Sequence, residues 1–194
     1  MNIEPVTLTG KFVQLMPMAR AHRIALYEAA QFPEIWDYMP SDMPNLERME
    51  ALIEDALENQ ALGSELPFVI LERESKRIVG SSRYLAISVP NRNLEIGWTW
   101  LTPSVWRTSV NTECKLLLLQ YAFEEMGCVR VQLKTDLRNT RSQEAISRLG
   151  ATREGVLRKH MIRSNGYIRD TVMFSIIQEE WPEVKARLEN WLRK

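Results

Sequence analysis

Two spacings of apolar residues alternate along this chain, and the places where one gives way to the other mark out its elements. Period-two or unbroken apolar runs predict strands near 8–17, 67–73, 78–87, 93–101, 129–136, 152–163 and 167–178. Helical spacing predicts helices near 20–31, 45–62, 110–126, 140–149 and 180–192. In 45–62, Leu46, Met49, Leu52, Ile53, Ala56 and Leu57 share one face, with Glu47, Glu50, Glu54, Asp55 and Glu58 elsewhere. Those acids read as a solvated face, with attraction of a cationic amine as the other reading. Pro103 closes the strand at 93–101, Gly127 stops the helix at 110–126, and Asn165-Gly166 predicts a hairpin turn. Strands and helices interleave without a repeat or linker, so the pattern is mixed α/β in one domain spanning 1–194.

A chain of 194 residues can bury roughly 70% of the surface its unfolded form exposes, so no second domain is needed for stability. Lys plus Arg and Asp plus Glu cancel at 25 each, which offers no electrostatic pull towards nucleic acid or an anionic membrane. Met1 to Pro5 lacks the basic start of a signal peptide, and no apolar run approaches the ~20 residues a bilayer requires. A cytoplasmic location is the simplest expectation. Cys114 and Cys128 flank one helix and should be on the order of 20 Å apart, too far for a disulfide. With only His22 and His160, and no ligand-spaced cluster, no metal site is expected.

Candidate chemistry concentrates between Leu94 and Gly155. Here a strand, an amide-rich loop, an amphipathic helix, a second strand and an Asn-x-x-Ser turn follow one another. The backbone N–H groups at the start of a helix are unpaired and carry partial positive charge, so the amides of Arg107, Thr108, Ser109, Val110, Asn111 and Thr112 form a candidate pyrophosphate cradle. The plainer reading is an ordinary helix start capped by Ser109 or Asn111, and Glu113 adds an opposing negative charge beside the cradle. Strand parity sets Glu95 with Gly97 and Thr99, opposite Leu94, Ile96, Trp98 and Trp100, which makes Glu95 the candidate general base; a salt-bridged carboxylate is its alternative.

Leu94 to Leu101, Trp106 to Lys115, Asn139 to Gly155 and Gly166 to Trp181 together resemble the GNAT superfamily of N-acetyltransferases, in its RimJ/RimL-like branch. The resemblance implies a GNAT fold: a mixed central sheet of about seven strands, flanked by helices, with the fourth and fifth strands splayed into a V. It implies that the backbone near Thr99, Trp100 and Leu101 runs beside the pantetheine arm of acetyl-CoA, that amides 107–112 hold its pyrophosphate, and that Asn139 touches the arm. Trp106 stands at the family's Gln/Arg position, Ser109 at the first glycine and Asn111 at the second. Ile146 and Ser147 occupy the neighbourhood of the usual tyrosine acid, so Ser142, three residues after Asn139, becomes the candidate proton donor to the thiolate, with helix capping as its other reading. The stretch from Arg158 to Arg163 lacks the branch's second glutamate; His160 could carry a proton in its place or be structural. Trp36 and Tyr38, which could equally be packing, join His160 as candidate acceptor contacts. Acetyl-CoA and an amine acceptor are the implied partners, without metal, nucleic acid or membrane; the oligomeric state is left open, a homodimer included. The implied activity is transfer of an acetyl group to a primary amine, the α-amine of a protein, peptide or aminoacyl compound. The alternatives are a polyamine or antibiotic acceptor, or a non-catalytic acyl-CoA-binding module.

Overall fold

The computed structural model describes residues 1, 3–163 and 165–193. Its sheet has eight strands in the order β1-β2-β3-β4-β5-β6-β8-β7. They are β1 (Leu8–Thr9), β2 (Val13–Pro17), β3 (Leu66–Glu72), β4 (Arg77–Ser88), β5 (Asn93–Leu101), β6 (Arg130–Asp136), β7 (Thr152–Ile162) and β8 (Ile168–Ile177). The helices are α1 (Arg23–Ala29), α2 (Pro33–Trp36), α3 (Leu46–Ala61), α4 (Ser109–Gln120), α5 (Thr140–Leu149) and α6 (Trp181–Leu192). A single 3₁₀ turn, Arg20–His22, leads into α1, and α4 passes into a π-helical turn over Tyr121–Glu125.

The count is eight rather than seven because the run 8–17 breaks into two strands. The backbone N–H groups of Lys11, Phe12 and Val13 turn away from the ladder and donate to the Glu113 carboxylate at 2.6–2.7 Å. Burial of a carboxylate is tolerated when several donors meet it, so this contact pins α4 to the far edge of the sheet. α2, which was not expected, is one turn opened by Pro33.

All neighbouring strands are antiparallel except β5 and β6, which run parallel with α4 as their crossover. Their register covers only Asn93↔Arg130, Leu94↔Val131 and Glu95↔Gln132, yet both strands continue well past that point. This is the V expected between the fourth and fifth strands, here β5 and β6. On one face Leu94, Ile96, Val131, Leu133 and Phe174 pack with α4; on the other Val69, Trp100 and Trp36 pack with α1 and α3.

Parity along β5 does not hold to its end. Arg83 pairs with Gly97 and Ser81 with Trp100, so Trp98 and Thr99 together oppose Ser82 in a bulge, with Trp98 at φ +49°. Past the bulge the faces exchange: Thr99 meets Ser82 and Lys115 on the α4 side, while Trp98 lies against the Arg83 guanidinium on the other. Glu95 and Thr99 therefore face opposite sides, contrary to the simple alternation. Gly97 has its own reason for lacking a side chain: a Cβ there would fall 2.6 Å from Leu85 Cδ1 and 2.9 Å from Glu95 Oε1.

Candidate active site

A cleft of about 1400 Å³ runs through the V, larger than the roughly 300–1000 Å³ of an ordinary small-molecule pocket and so roomy enough for an extended cofactor with an acceptor. Its walls are β5 from Glu95 to Leu101, β6 from Leu133 to Thr135, the start of α4, one face of α5, the end of α6, and Glu34, Ile35 and Tyr38 to Pro40.

At one end lies the start of α4. Thr108 is the N-cap, its hydroxyl accepting the Val110 N–H at 3.3 Å, and Arg107 before it holds a left-handed conformation at φ +63°. Ser109 and Asn111 are helical residues rather than caps. Arg107, Thr108, Ser109, Asn111 and Thr112 all line the cleft, whereas the Val110 side chain is buried in the core. Arg107 and, beside Trp106, Arg141 lie at this end, so the donor set suits phosphate groups. The expected opposition from Glu113 is absent, because its carboxylate points to the β1–β2 turn and is met there by three amides.

Trp106 braces the cradle. Its indole N–H donates to the Leu101 carbonyl at 2.7 Å, and the Arg141 guanidinium lies 4.3 Å from its ring. One side chain thus ties the loop to the end of β5 and to the first turn of α5, and the Leu101 carbonyl is occupied by the indole. Asn139 caps α5, its Oδ1 accepting the Ser142 N–H at 3.0 Å. Ser142 is not the cap, and its hydroxyl lies in the cleft wall.

At the apex of the V sits Glu95, 2% exposed. Its Oε2 accepts from Gln132 Nε2 at 3.1 Å and meets Lys134 Nζ at 3.0 Å. Oε1 lies towards Gly97, with no hydrogen-bond partner among the described residues. Tyr38 and Met161 line the same end of the cleft. Trp36 does not: it is buried behind the wall, its indole N–H donating to the Ala30 carbonyl at 2.9 Å and its ring 5.8 Å from Trp100. His160 is also outside the cleft. An irregularity between Leu157 and Met161 turns Met161 inwards and leaves His160 exposed, Nδ1 3.1 Å from Thr171 Oγ1. The acids of α3 lie elsewhere too, Glu50 and Glu54 being paired with Arg23 and Arg20.

Four charged groups join the site, of which only Arg169, on the strand after the Asn165-Gly166 turn, was a sequence candidate for gripping the acceptor. Lys134 contacts Glu95, and Arg169 lines the cleft, its guanidinium proton held less tightly because it is buried. Arg163 reaches from the β7–β8 hairpin to the carbonyls of Asp37 at 2.7 Å, Trp36 at 3.2 Å and Met39, closing the wall beside Tyr38. Lys115, 6% exposed, lines the cleft with Nζ 2.5 Å from Thr99 Oγ1. Its signal was available: Lys115 follows Asn111 by four residues and so lies on the same helical face. Among the described residues no helix is long and apolar enough to cross a membrane, and no metal-binding cluster occurs. Both cysteines are free.

Comparison with known proteins gives a consistent result. Residues 13–152 match the model of the acetyltransferase (GNAT) domain. The uncharacterized N-acetyltransferase YoaA of Bacillus subtilis (strain 168) is 28% identical over 139 residues, 70% of this chain and 77% of that one. A crystal structure from T. thermophilus, assigned as an acetyltransferase, superposes with TM-score 0.89 at 39% identity, covering 99% of this chain and 100% of that one. RimJ of Mycobacterium smegmatis, solved with CoA-disulfide, shares the fold with TM-score 0.84 at 20% identity, covering 98% and 97% of the two chains.

Proposed function

This chain belongs to the GNAT family of N-acetyltransferases, and from that membership we propose that residues 1–194 form one catalytic domain transferring acetyl from acetyl-CoA to the α-amine of a protein, peptide or aminoacyl compound. The observation that carries the reading is the early end of β5–β6 pairing at Glu95↔Gln132, which opens a cleft with an anion-binding helix start at one end and a carboxylate at the other. The likeness in fold to RimJ supports the branch.

Acetyl-CoA, when bound, supplies an activated acyl carbon and a thiol leaving group. The amides of 107–112 with Arg107 and Arg141 would hold its phosphates. Asn139 is committed to capping, so its part is to fix the start of α5 and with it the Ser142 hydroxyl, a hydrogen-bond donor at the cleft wall. The unpaired edge of β5 near Trp100 offers backbone N–H groups suited to polarising a carbonyl.

The acceptor must be a neutral amine. At pH 7 an α-amine of pKa near 8 gives up its proton at a cost of about 1.4 kcal/mol, whereas a lysine side chain near 10.4 costs about 4.6 kcal/mol. Glu95, held at the apex of the cleft by Lys134, would take up that proton through water. Tyr38 and Met161 would flank the incoming amine.

The test is incubation with acetyl-CoA and a mixed panel of peptides, polyamines and aminoacyl compounds, with mass spectrometry of every product. Acetylated α-amines are the expected result. Acetylated polyamines alone would overturn the acceptor class, and cofactor binding without any product would make the chain a non-catalytic binding module.

A further inference from the structure

Lys115 presents an energetic problem. Its side chain is almost fully buried on α4, yet among the described residues it forms no ion pair. Burying an ammonium without a counter-charge costs several kcal/mol, and the hydroxyl of Thr99, itself 2.8 Å from Ser82 Oγ, offsets only part of this. Such a charge is matched to an anion that arrives with a ligand. The pyrophosphate is not that anion: Lys115 lies six residues into α4 from Ser109, about 9 Å along the axis at 1.5 Å per residue, beyond the helix-start amides and beside the bulge of β5. On the acetyltransferase reading, the thiol-bearing arm running along β5 from the helix start towards Glu95 would pass this point.

We propose that the Lys115 ammonium, anchored on Thr99 and Ser82, is the acid that stabilises and protonates the coenzyme A thiolate as the acetyl group leaves it; this rests on the acetyltransferase reading above. The acceptor nitrogen bonds to the acetyl carbon as the carbon–sulfur bond breaks with its electron pair on sulfur. One proton passes from Lys115 Nζ to that sulfur, and the proton shed by the nitrogen goes through water to Glu95. Solvent then resets both side chains. Ser142 keeps the lesser part of hydrogen-bonding to the sulfur, because an alcohol holds its proton far more tightly than a thiol does. An ammonium does not: burial lowers the proton affinity of Lys115 from 10.5, in the direction of a thiol's roughly 8.5.

Neighbouring groups leave this assignment clear. On α4, Cys114 is pushed up to about 11 by burial and Glu113 is turned to the β1–β2 turn. On β4, Tyr84 is raised by burial and donates to the Leu118 carbonyl. Glu95 on β5 is paired with Lys134 of β6, and Arg141, Ser142 and Glu144 face the cleft from α5.

The experiment titrates bound coenzyme A by the ultraviolet absorbance of its thiolate, against protein alone, for the wild type, Lys115→Met and Thr99→Val. In the wild type the bound thiol should ionise at least about one pH unit below free coenzyme A, a tenfold shift in its ionisation equilibrium. Lys115→Met should restore or exceed the free value, and Thr99→Val should lose part of the shift. A bound thiol that ionises alike in wild type and Lys115→Met overturns the proposal; should Lys115→Met not fold, an unchanged value in Thr99→Val does so. Calorimetry of coenzyme A against desulfo-coenzyme A separates the two levels of inference. Failure of the wild type to bind either compound would remove the cofactor reading itself, whereas equal binding with an unshifted thiol would remove only Lys115.

Discussion

The carboxyl group of Glu113 fills the space that a side chain on residue 10 would need: a Cβ built on Gly10 would lie 2.3 Å from Glu113 Cδ. The pair explains at once why the first strand breaks, why residue 10 is glycine, and how an acid one turn into α4 is satisfied away from the helix start. Glu113→Ala would strand three backbone donors, of which that of Val13 is buried. It should destabilise the protein by about 1–3 kcal/mol, the cost of the one unsatisfied buried donor, with less from the two that water can reach. Gly10→Ala should also destabilise, by displacing the carboxylate. Urea denaturation of both variants checks the expectation; a loss below about 1 kcal/mol in Glu113→Ala would contradict it.

Glu95→Gln should leave coenzyme A affinity nearly intact, since size is preserved and the residue lies at the opposite end of the cleft from the cradle. Turnover should fall by roughly 10²-fold, the lower end for general acid–base catalysis. The fall should be steepest at low pH, where the amine is protonated. Single-turnover rates between pH 6 and 9 provide the measurement, and wild-type-like rates throughout would remove Glu95 as base.

Asn139 and Ser142 should separate in a way that the sequence alone left tied. Because Asn139 accepts the Ser142 N–H, Asn139→Ala should cost about 1 kcal/mol of stability as a lost cap. Ser142→Ala should leave stability unchanged and slow the chemical step by about tenfold, the worth of one hydrogen bond of about 1.4 kcal/mol. Melting curves and single-turnover rates on the two variants test this; a lower melting temperature in Ser142→Ala would return that residue to a structural role.

Restoring glycine to the phosphate loop should bring no gain. Ser109 and Asn111 lie within α4 in ordinary helical conformation, and the left-handed position belongs to Arg107. The double variant Ser109→Gly/Asn111→Gly should change coenzyme A affinity by less than about threefold, while losing up to ~1 kcal/mol of helix propensity per site. Calorimetric affinity is the readout, and a tenfold tighter complex would show that the two side chains obstruct the cradle.

Lys115 should leave a signature in stability against pH. Its folded proton affinity is lowered by burial, while the unfolded chain keeps the ordinary value of 10.5. Between those two values the unfolded state binds more protons, so stability rises with pH through that window. Below it, folding carries the full cost of burying the charge. Lys115→Met without ligand should therefore be more stable than the wild type at neutral pH, with the gap narrowing as pH rises towards 10.5. Urea midpoints across that range test the sign; a variant less stable than the wild type at pH 7 would show the ammonium to be well satisfied in the free protein.

The order and kind of nearly every long element could be read from the linear chain and, through Ser142 and the stretch after Pro103, so could part of the lining of the cleft. Those are local matters: periodicity, capping chemistry and proline stops act over a few residues, and they survive whatever the rest of the chain does. The facing of residues across the site was settled elsewhere. One extra residue at Trp98–Thr99 reversed the parity that had placed Thr99 with Glu95, and the irregularity before Met161 turned His160 outwards. A bulge depends on which strand lies opposite, and no single strand encodes that. Glu113, read as a charge opposing the phosphate site, found its partners about a hundred residues away in the β1–β2 turn. Trp36 packs against Trp100 instead of lining the cleft, and Arg163 reaches across from the last hairpin to the Asp37 carbonyl. Lys115 shows the division most clearly, since the helical repeat fixed the face it occupies, while its burial against Thr99 exists only once the sheet has closed over α4.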